Sequence, residues 1–413
     1  MKPTVLIFAH YYLPGTRAGG PIRSISNLVN NFNDNYIFKI ITSDRDYGDK
    51  FSYIKIEKNK WTTVGNASVY YLSPSVINLI TMVNLIRSSG CDFYYLNSFF
   101  DPKFSFWPLF LRWAGFIHNK PLLIAPRGEF SPSALSIKSF KKRIYLKFLK
   151  FFNLLKDVVW QASSNFEKTD ILSCLYVEHV SKDLKVTPWE KVKVAPDLLE
   201  THEKIFISNN LLTKTNINTK TKTKTKPNTI TSKKLNICFA SRISRMKNLD
   251  FLLKILSKVR ADVILNIHGP AEDLDYWIEC KKIIDLLPKN VQVNIFGPYK
   301  NEDVELIFGE NDLLFLPTQG ENFGHVIFEA LKCGVPVLIS DRTPWVGLEN
   351  SKAGWVGSLE ESDYFVKAIE KLAKMDISEL NDYKNGARDY AQNYLRNNSA
   401  HSDTEELFRY LLN

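Results

Sequence analysis

Absences bound this 413-residue chain before any motif does. Its five cysteines, Cys91, Cys174, Cys238, Cys280 and Cys333, are scattered, odd in number and without a Cys-x-x-Cys pair. That pattern argues against a disulfide framework or a zinc site and for a reducing cytosol. No apolar stretch approaches the roughly 18 uncharged residues of a membrane span. The amino terminus passes directly into TVLIF, an apolar run too short for a secretory leader, so a cytoplasmic protein with no membrane-integral segment is expected. There is no G-x-G-x-x-G fingerprint; the Gly19-Gly20 pair is a weaker signal, because most such pairs simply make turns. Acids are missing where lysines are densest. Between Leu211 and Lys234 the chain reads LLTKTNINTKTKTKTKPNTITSKK, with seven lysines and no acidic residue, so this run carries most of the net charge of +10. The excess is therefore no footprint for nucleic acid. Low complexity and missing apolar periodicity make the run an interdomain linker, with a polybasic tether as the alternative.

What remains is rich in strand and helix patterns. At this length, with 45% hydrophobic residues, two domains of ordinary size are expected. After the linker, LNICFA at 235–240, DVILNIHG, VQVNIFG, DLLFLP at 312–317 and PVLIS alternate with helical stretches, as in a doubly wound parallel sheet. The stretch PTQGENFGHVIFEALKCGVPVLIS is the most informative. A strand ends at Pro317, a loop follows, and Val326, Ile327, Ala330 and Leu331 recur at helical spacing from Phe323 to Cys333 until Gly334 stops the helix. In such βαβ units ligands gather beyond the carboxyl ends of strands, where free helix N–H groups favour phosphate. Glu321 and Glu329 flank the helix start. If the whole stretch is helical, its eight residue-to-residue steps set the two carboxylates roughly 12 Å apart, the reach of a sugar, a diphosphate and a ribose. Upstream, SRISRMKN follows the strand 235–240 and places Arg242 and Lys247 in its connecting loop, with Arg245 a weaker candidate. A guanidinium fork and an ammonium there suit a leaving diphosphate. For any one of these residues the plainer alternative is a solvated charge.

The combination of SRISRMKN with PTQGENFGHVIFEALKCGVPVLISDRTPW resembles the C-terminal domain of retaining glycosyltransferases of family 4, which have the GT-B fold. SDRTPW, YYLPGTRAGGPIRSISNL, NSFFDPKFSF and APRGEFSPSALSIK resemble a bacterial subgroup that builds surface polysaccharides, so the resemblance spans nearly the whole chain. It implies two Rossmann-like doubly wound domains facing a cleft: an acceptor-side domain over 1–206, a linker over 207–234 and a nucleotide-sugar-binding domain over 235–390. The helix in 391–413 would cross back to the first domain. WQASSNFEKTDIL and VAPDLLE, within 160–199, resemble the last strand and proline turn before the linker.

Carried over residue by residue, the resemblance implies that Arg242 and Lys247 bind the donor diphosphate, Glu321 the transferred sugar and Glu329 the ribose. Asn322, Phe323 and Gly324 would line the donor site, with Gly19 and Gly20 opposite. Arg242, Lys247 and Glu321 are the catalytic candidates. Many relatives carry a histidine where this chain has Arg127-Gly128; arginine is no base, so Arg127 and Glu129 are candidates for acceptor binding. His10, His268 and His325 read as packed or hydrogen-bonded residues rather than catalysts. No Asp-x-Asp pair flanks a donor strand, so neither a metal nor a cofactor is expected beside a UDP- or GDP-linked donor. The resulting expectation is a metal-independent hexosyltransferase. It would act with retention on a glycan or polyprenyl-linked acceptor in O-antigen, capsule or exopolysaccharide synthesis. The alternatives are a same-fold sugar-nucleotide epimerase or hydrolase, or a basic nucleic-acid- or membrane-binding protein.

One basic zone stands apart. In IKSFKKRIYLKFLKFFNLLKDVVW, Phe140, Ile144, Phe148, Phe151, Phe152, Leu155 and Val159 share one side of a helix. Lys138, Lys142, Arg143, Lys147, Lys150 and Lys156 take much of the other. Such a helix either packs its aromatic side on the N-terminal sheet or lies on the anionic inner face of the plasma membrane through 138–156. FSFWPLFLRWAGFIH at 104–118 poses the same choice, and Pro108 and Arg112 favour a core helix.

Overall fold

Apolar runs bounded by turn residues become strands with neighbours on both sides. The computed structural model describes residues 1–136, 138–176, 191–199 and 234–413. The Lys/Thr-rich run up to Lys233 lies outside them. The chain divides into two units, Met1–Thr229 with Ser399–Asn413, and Ile230–Asn398.

In the first unit the strands are β1 (Thr4–Phe8), β2 (Ile37–Ser43), β3 (Trp61–Val64), β4 (Ala67–Leu72), β5 (Phe93–Asn97), β6 (Leu122–Ala125), β7 (Val158–Ala162) and β8 (Val192–Val194). They lie in the order β3-β4-β2-β1-β5-β6-β7-β8. Every pairing is parallel except the edge hairpin β3–β4. Strands β5, β6 and β7 are buried at every position, as helices on both faces of a parallel sheet require.

In the second unit β9 (Leu235–Ala240), β10 (Val263–His268), β11 (Val291–Gly297), β12 (Leu313–Leu316), β13 (Val337–Ser340) and β14 (Gly354–Gly357) form an all-parallel sheet. Its order is β11-β10-β9-β12-β13-β14, that of a doubly wound dinucleotide-type sheet. Strand order reverses between β9 and β12 here, and between β1 and β5 in the first unit. A crevice at the carboxyl ends of those pairs is the ligand position that such topology dictates.

The ends of β9 and β10 approach closely. A Cβ built on Gly269 would lie 1.8 Å from the Ser241 carbonyl oxygen, and its φ is +137°. Both facts exclude a side chain. Gly269→Ala is expected to cost about 3 kcal/mol or more, read as a lowered urea-denaturation midpoint.

The tail divides at Ser399. Helix Ile377–Asn397 belongs to the second unit, whereas Ala400–Leu412 packs within the first. Phe408 is fully buried there, with its ring 5.0 Å from Phe93 and 5.2 Å from Tyr36.

The basic amphipathic segment forms a helix over Ser139–Phe151, shorter than the pattern suggested. Its aromatic stripe does not pack on the sheet. Leu149 is the helix's buried residue, whereas Phe140, Ile144, Phe148 and Phe151 are 73%, 53%, 40% and 82% exposed. At about 100° per residue, those four lie within about 80° of one another, and their centre is about 140° round the helix from Leu149. The side that anchors the helix carries Lys142, whose Nζ donates to the Ala134 carbonyl at 2.7 Å and lies 4.7 Å from the Phe100 ring centre.

Candidate functional site

At the β9/β12 switch point, two loops are laced together. After β9 the chain bends through Ser241 to a short 3₁₀ turn, Arg245–Lys247, and enters helix Leu249–Leu256 through Asn248 at φ 61°. After β12, Thr318 is fully buried. Its hydroxyl reaches the Met246 carbonyl at 3.1 Å, and the Gln319 N–H donates to the same carbonyl at 2.8 Å. The Glu321 N–H is fixed by the Arg342 carbonyl at 3.0 Å. These contacts bring Lys247 and Glu321, 74 positions apart, into a direct ion pair. Only 12% and 10% of the two side chains is exposed, so the pair is largely shielded from water.

Arg242 stands nearby in the chain and donates from Nη1 to Glu272 Oε1 at 2.8 Å. Glu272 was not singled out by sequence; its acidic stretch signalled only a helix. Arg245 is more exposed and pairs with Glu279 at 2.6 Å, as a solvated basic residue does. His268 ends β10 with its ring stacked 4.6 Å from Phe296. Burial pushes its pKa below the ordinary histidine value, consistent with a packed, neutral ring.

Only part of the Glu-x7-Glu stretch is helical, which corrects the simple helical-rise spacing. The helix is His325–Lys332, and Gly324 precedes it at φ 80° in the left-handed region. Glu321 lies in the loop before the helix and half-buried Glu329 in its second turn. A Cβ on Gly324 would come within 2.9 Å of Ile327 Cδ1, so glycine fits both the conformation and the space. Phe323 is buried: its ring meets Trp345 at 5.2 Å and Tyr394 at 6.1 Å, and its carbonyl accepts from Trp345 Nε1 at 2.6 Å. The Phe323 ring therefore braces the helix start. Asn322 lies at the partly exposed rim of the loop.

In the first unit, Gly19 (φ 68°) and Gly20 begin helix Gly20–Phe32 beyond β1. The preceding loop is held by Asp46, whose Oδ2 accepts from the Thr16 N–H at 2.8 Å and the Arg17 N–H at 3.1 Å. His10 Nδ1 meets Asp101 Oδ2 at 2.6 Å across the β1/β5 switch point. Burial by itself raises the Asp101 pKa. Hydrogen bonds from His10 and from the Lys103 and Phe104 N–H groups outweigh it and hold the acid below its usual range.

Arg127 and Glu129 are already committed to internal partners. The guanidinium pairs through Nη1 with Asp197, donates from Nε to Asn97 Oδ1 at 2.8 Å and from Nη2 to the Tyr95 hydroxyl at 2.6 Å. Only 8% of the side chain is exposed. Asp197 in turn accepts from Ser24 Oγ at 2.9 Å, and Asn97 Nδ2 donates to the Pro21 carbonyl at 3.2 Å. Arg127 thus sits two bonds from the glycine turn. Glu129 accepts from Ser98 Oγ at 2.8 Å and from the Phe99 and Phe100 N–H groups at 2.6 and 3.1 Å. Burial pushes its carboxyl up, partly countered by those donors. The side-chain geometry therefore makes these two residues braces of the strand ends and the loops that follow them. The roles of Asp197, Asn97 and Tyr95 were missed by sequence because each lies remote from Arg127 in the chain.

Among the described residues no group of three or more His, Cys, Asp or Glu side chains forms a metal-binding cluster, and no helix is long and apolar enough to cross a membrane.

Comparison with known proteins bears on the activity class and the fold. Residues 220–390 match the family model described as glycosyl transferases group 1. An uncharacterized 41.2 kDa protein in the cps region of Klebsiella pneumoniae is 30% identical over 176 residues, covering 41% of this chain and 44% of that protein. An uncharacterized glycosyltransferase of Haemophilus influenzae is 26% identical over 232 residues, 53% of this chain and 60% of that protein. The chain thus spans less than two thirds of the curated relatives it matches. The crystal structure of HepE from Anabaena, in complex with UDP and glucose, superposes with a TM-score of 0.62 at 15% identity over 99% of both chains. That likeness concerns the fold, which is two doubly wound parallel-sheet units of the GT-B type.

Proposed function

We propose that the protein is a retaining glycosyltransferase that moves a hexosyl unit from a nucleotide-diphosphate sugar to a glycan or polyprenyl-linked acceptor. The observation that carries this reading is the convergence of Lys247 and Glu321 at the β9/β12 switch point, with Arg242 in the same loop as Lys247. Ligands of doubly wound sheets tend to bind at such a switch point, and the charges are of the kind a diphosphate and a sugar hydroxyl need. The match of residues 220–390 supports the activity class. The Klebsiella relative's cps region supports a place in surface-polysaccharide synthesis, and the Anabaena complex favours a UDP-linked donor.

In this reading Arg242 and Lys247 bind the diphosphate and stabilise the charge that develops as the anomeric C–O bond breaks. The N-terminus of helix His325–Lys332 adds its positive dipole end. Glu321, whose carboxylate orients Lys247, accepts from a hydroxyl of the transferred sugar, and Glu329 holds the ribose hydroxyls. The acceptor hydroxyl oxygen bonds to the anomeric carbon, the bonding pair of the broken C–O bond leaves with the nucleotide diphosphate, and the acceptor's proton passes to that phosphate. Retention means that the new bond forms on the face the diphosphate leaves. No metal is assigned a part.

A thermal-shift screen with UDP, GDP and ADP sugars tests the site. The matching donor at 100 times its Kd is expected to stabilise the native protein by about 2.7 kcal/mol. No shift with any of them would overturn the reading; release of free sugar or of an isomer without an acceptor would replace transfer by hydrolysis or epimerisation.

A further inference from the structure

Helix Ser139–Phe151 turns its aromatic stripe outward, and a second helix extends that stripe. Trp113, at the end of helix Trp107–Trp113, is 49% exposed and Phe116 is 52% exposed. The rings form one connected surface: Phe106 lies 6.0 Å from Phe148, Phe148 4.7 Å from Phe152, and Trp113 5.8 Å from Phe152. Arg112 ties the two segments together by donating from Nε to the Lys120 carbonyl at 2.9 Å and from Nη1 to the Lys156 carbonyl at 3.4 Å. Soluble proteins seldom leave a contiguous apolar surface of this kind without an occupant.

Charge identifies the occupant. Segments 102–120 and 132–156 together contain ten lysines and arginines and not one acidic residue. Lys141, Arg143 and Lys147 are exposed alongside the stripe. At about 100° per residue, Arg143 and Lys147 lie on one side of it and Lys141 within its other edge. A protein groove for an amphipathic helix offers an apolar floor; a predominantly cationic rim around bulky aromatic rings, with exposed Asp157 beside Lys156, instead matches anionic headgroups above acyl chains.

We infer that this face docks the first unit on an anionic lipid bilayer, with Phe140, Phe148, Phe151 and Trp113 entering the headgroup boundary and Lys141, Arg143 and Lys147 pairing with lipid phosphates. The inference does not depend on glycosyl transfer, since binding is read without donor or acceptor.

Flotation of the full chain with vesicles tests it. Binding to phosphatidylcholine vesicles containing phosphatidylglycerol is expected, with little binding to phosphatidylcholine alone, and it should weaken as salt rises. Phe140→Ser with Phe151→Ser, and separately Lys141→Gln, Arg143→Gln and Lys147→Gln together, should each lower the partition coefficient by about tenfold or more. These side chains are exposed, so an unchanged melting temperature verifies the fold of each variant. Equal binding by wild type and variants would overturn the proposal. So would lipid-independent dimerisation, seen by sedimentation, that the phenylalanine substitutions abolish, because the face would then belong to a second copy.

Discussion

Lys247→Met is expected to abolish donor binding and also to destabilise the protein, and pairing it with Glu321→Gln should restore the stability alone. The two side chains are about nine-tenths buried and paired with each other. Removing the ammonium leaves a carboxylate without its counter-ion, at a cost of about 3 kcal/mol. Neutralising both partners removes that penalty, so the double variant should melt close to wild type. Donor binding is different. A cation at a developing phosphate charge contributes about 10²–10³-fold to turnover where such groups have been removed, and methionine cannot replace it. Calorimetry with the donor found in the thermal screen, beside urea denaturation, separates the two effects. A double variant that binds donor like wild type would remove Lys247 from the site.

Arg127→Met is expected to be the most destabilising substitution in the first unit. Asp197 is 5% exposed at its side chain and would lose its charged partner; Asn97 and the Tyr95 hydroxyl would each lose a hydrogen-bond donor. Breaking a buried pair on one side costs about 3–5 kcal/mol. Arg127→Lys retains a charge for Asp197 but no planar fork for Asn97 and Tyr95, so it should lie between wild type and methionine. Arg127 also adopts φ 56°, uncommon for a residue with a Cβ. Urea midpoints for the three proteins give the order, and equal midpoints would show that the network holds nothing.

Much of the second unit was legible in the sequence because its strands are short apolar runs closed by Gly269 or Pro317, and its charges cluster within a few residues of strand ends. The meeting of Lys247 with Glu321 follows from those two facts and the parallel topology. Three things were not legible. Periodicity tells which residues of 138–156 share a side of the helix; it does not tell which side packs, and Leu149 with Tyr145 and Leu146 took that place. The loop before Gly324 shortened the helix between the two glutamates, because one residue in the left-handed region ends a helical count. The partners of Arg127, Tyr95 and Asn97 in β5 and Asp197 beyond β8, lie 30 to 70 residues away, and no local pattern marks them.

The placement of Phe408 bears on how the chain is made. Its ring fills a space bounded by Phe32, Tyr36, Phe93 and Tyr95, yet it is translated more than 300 residues after them. The amino-terminal unit must therefore wait with an open seam until that residue has been made, while the segment translated in between can fold before it. A stop codon ahead of Ala400 would leave that seam unfilled for good.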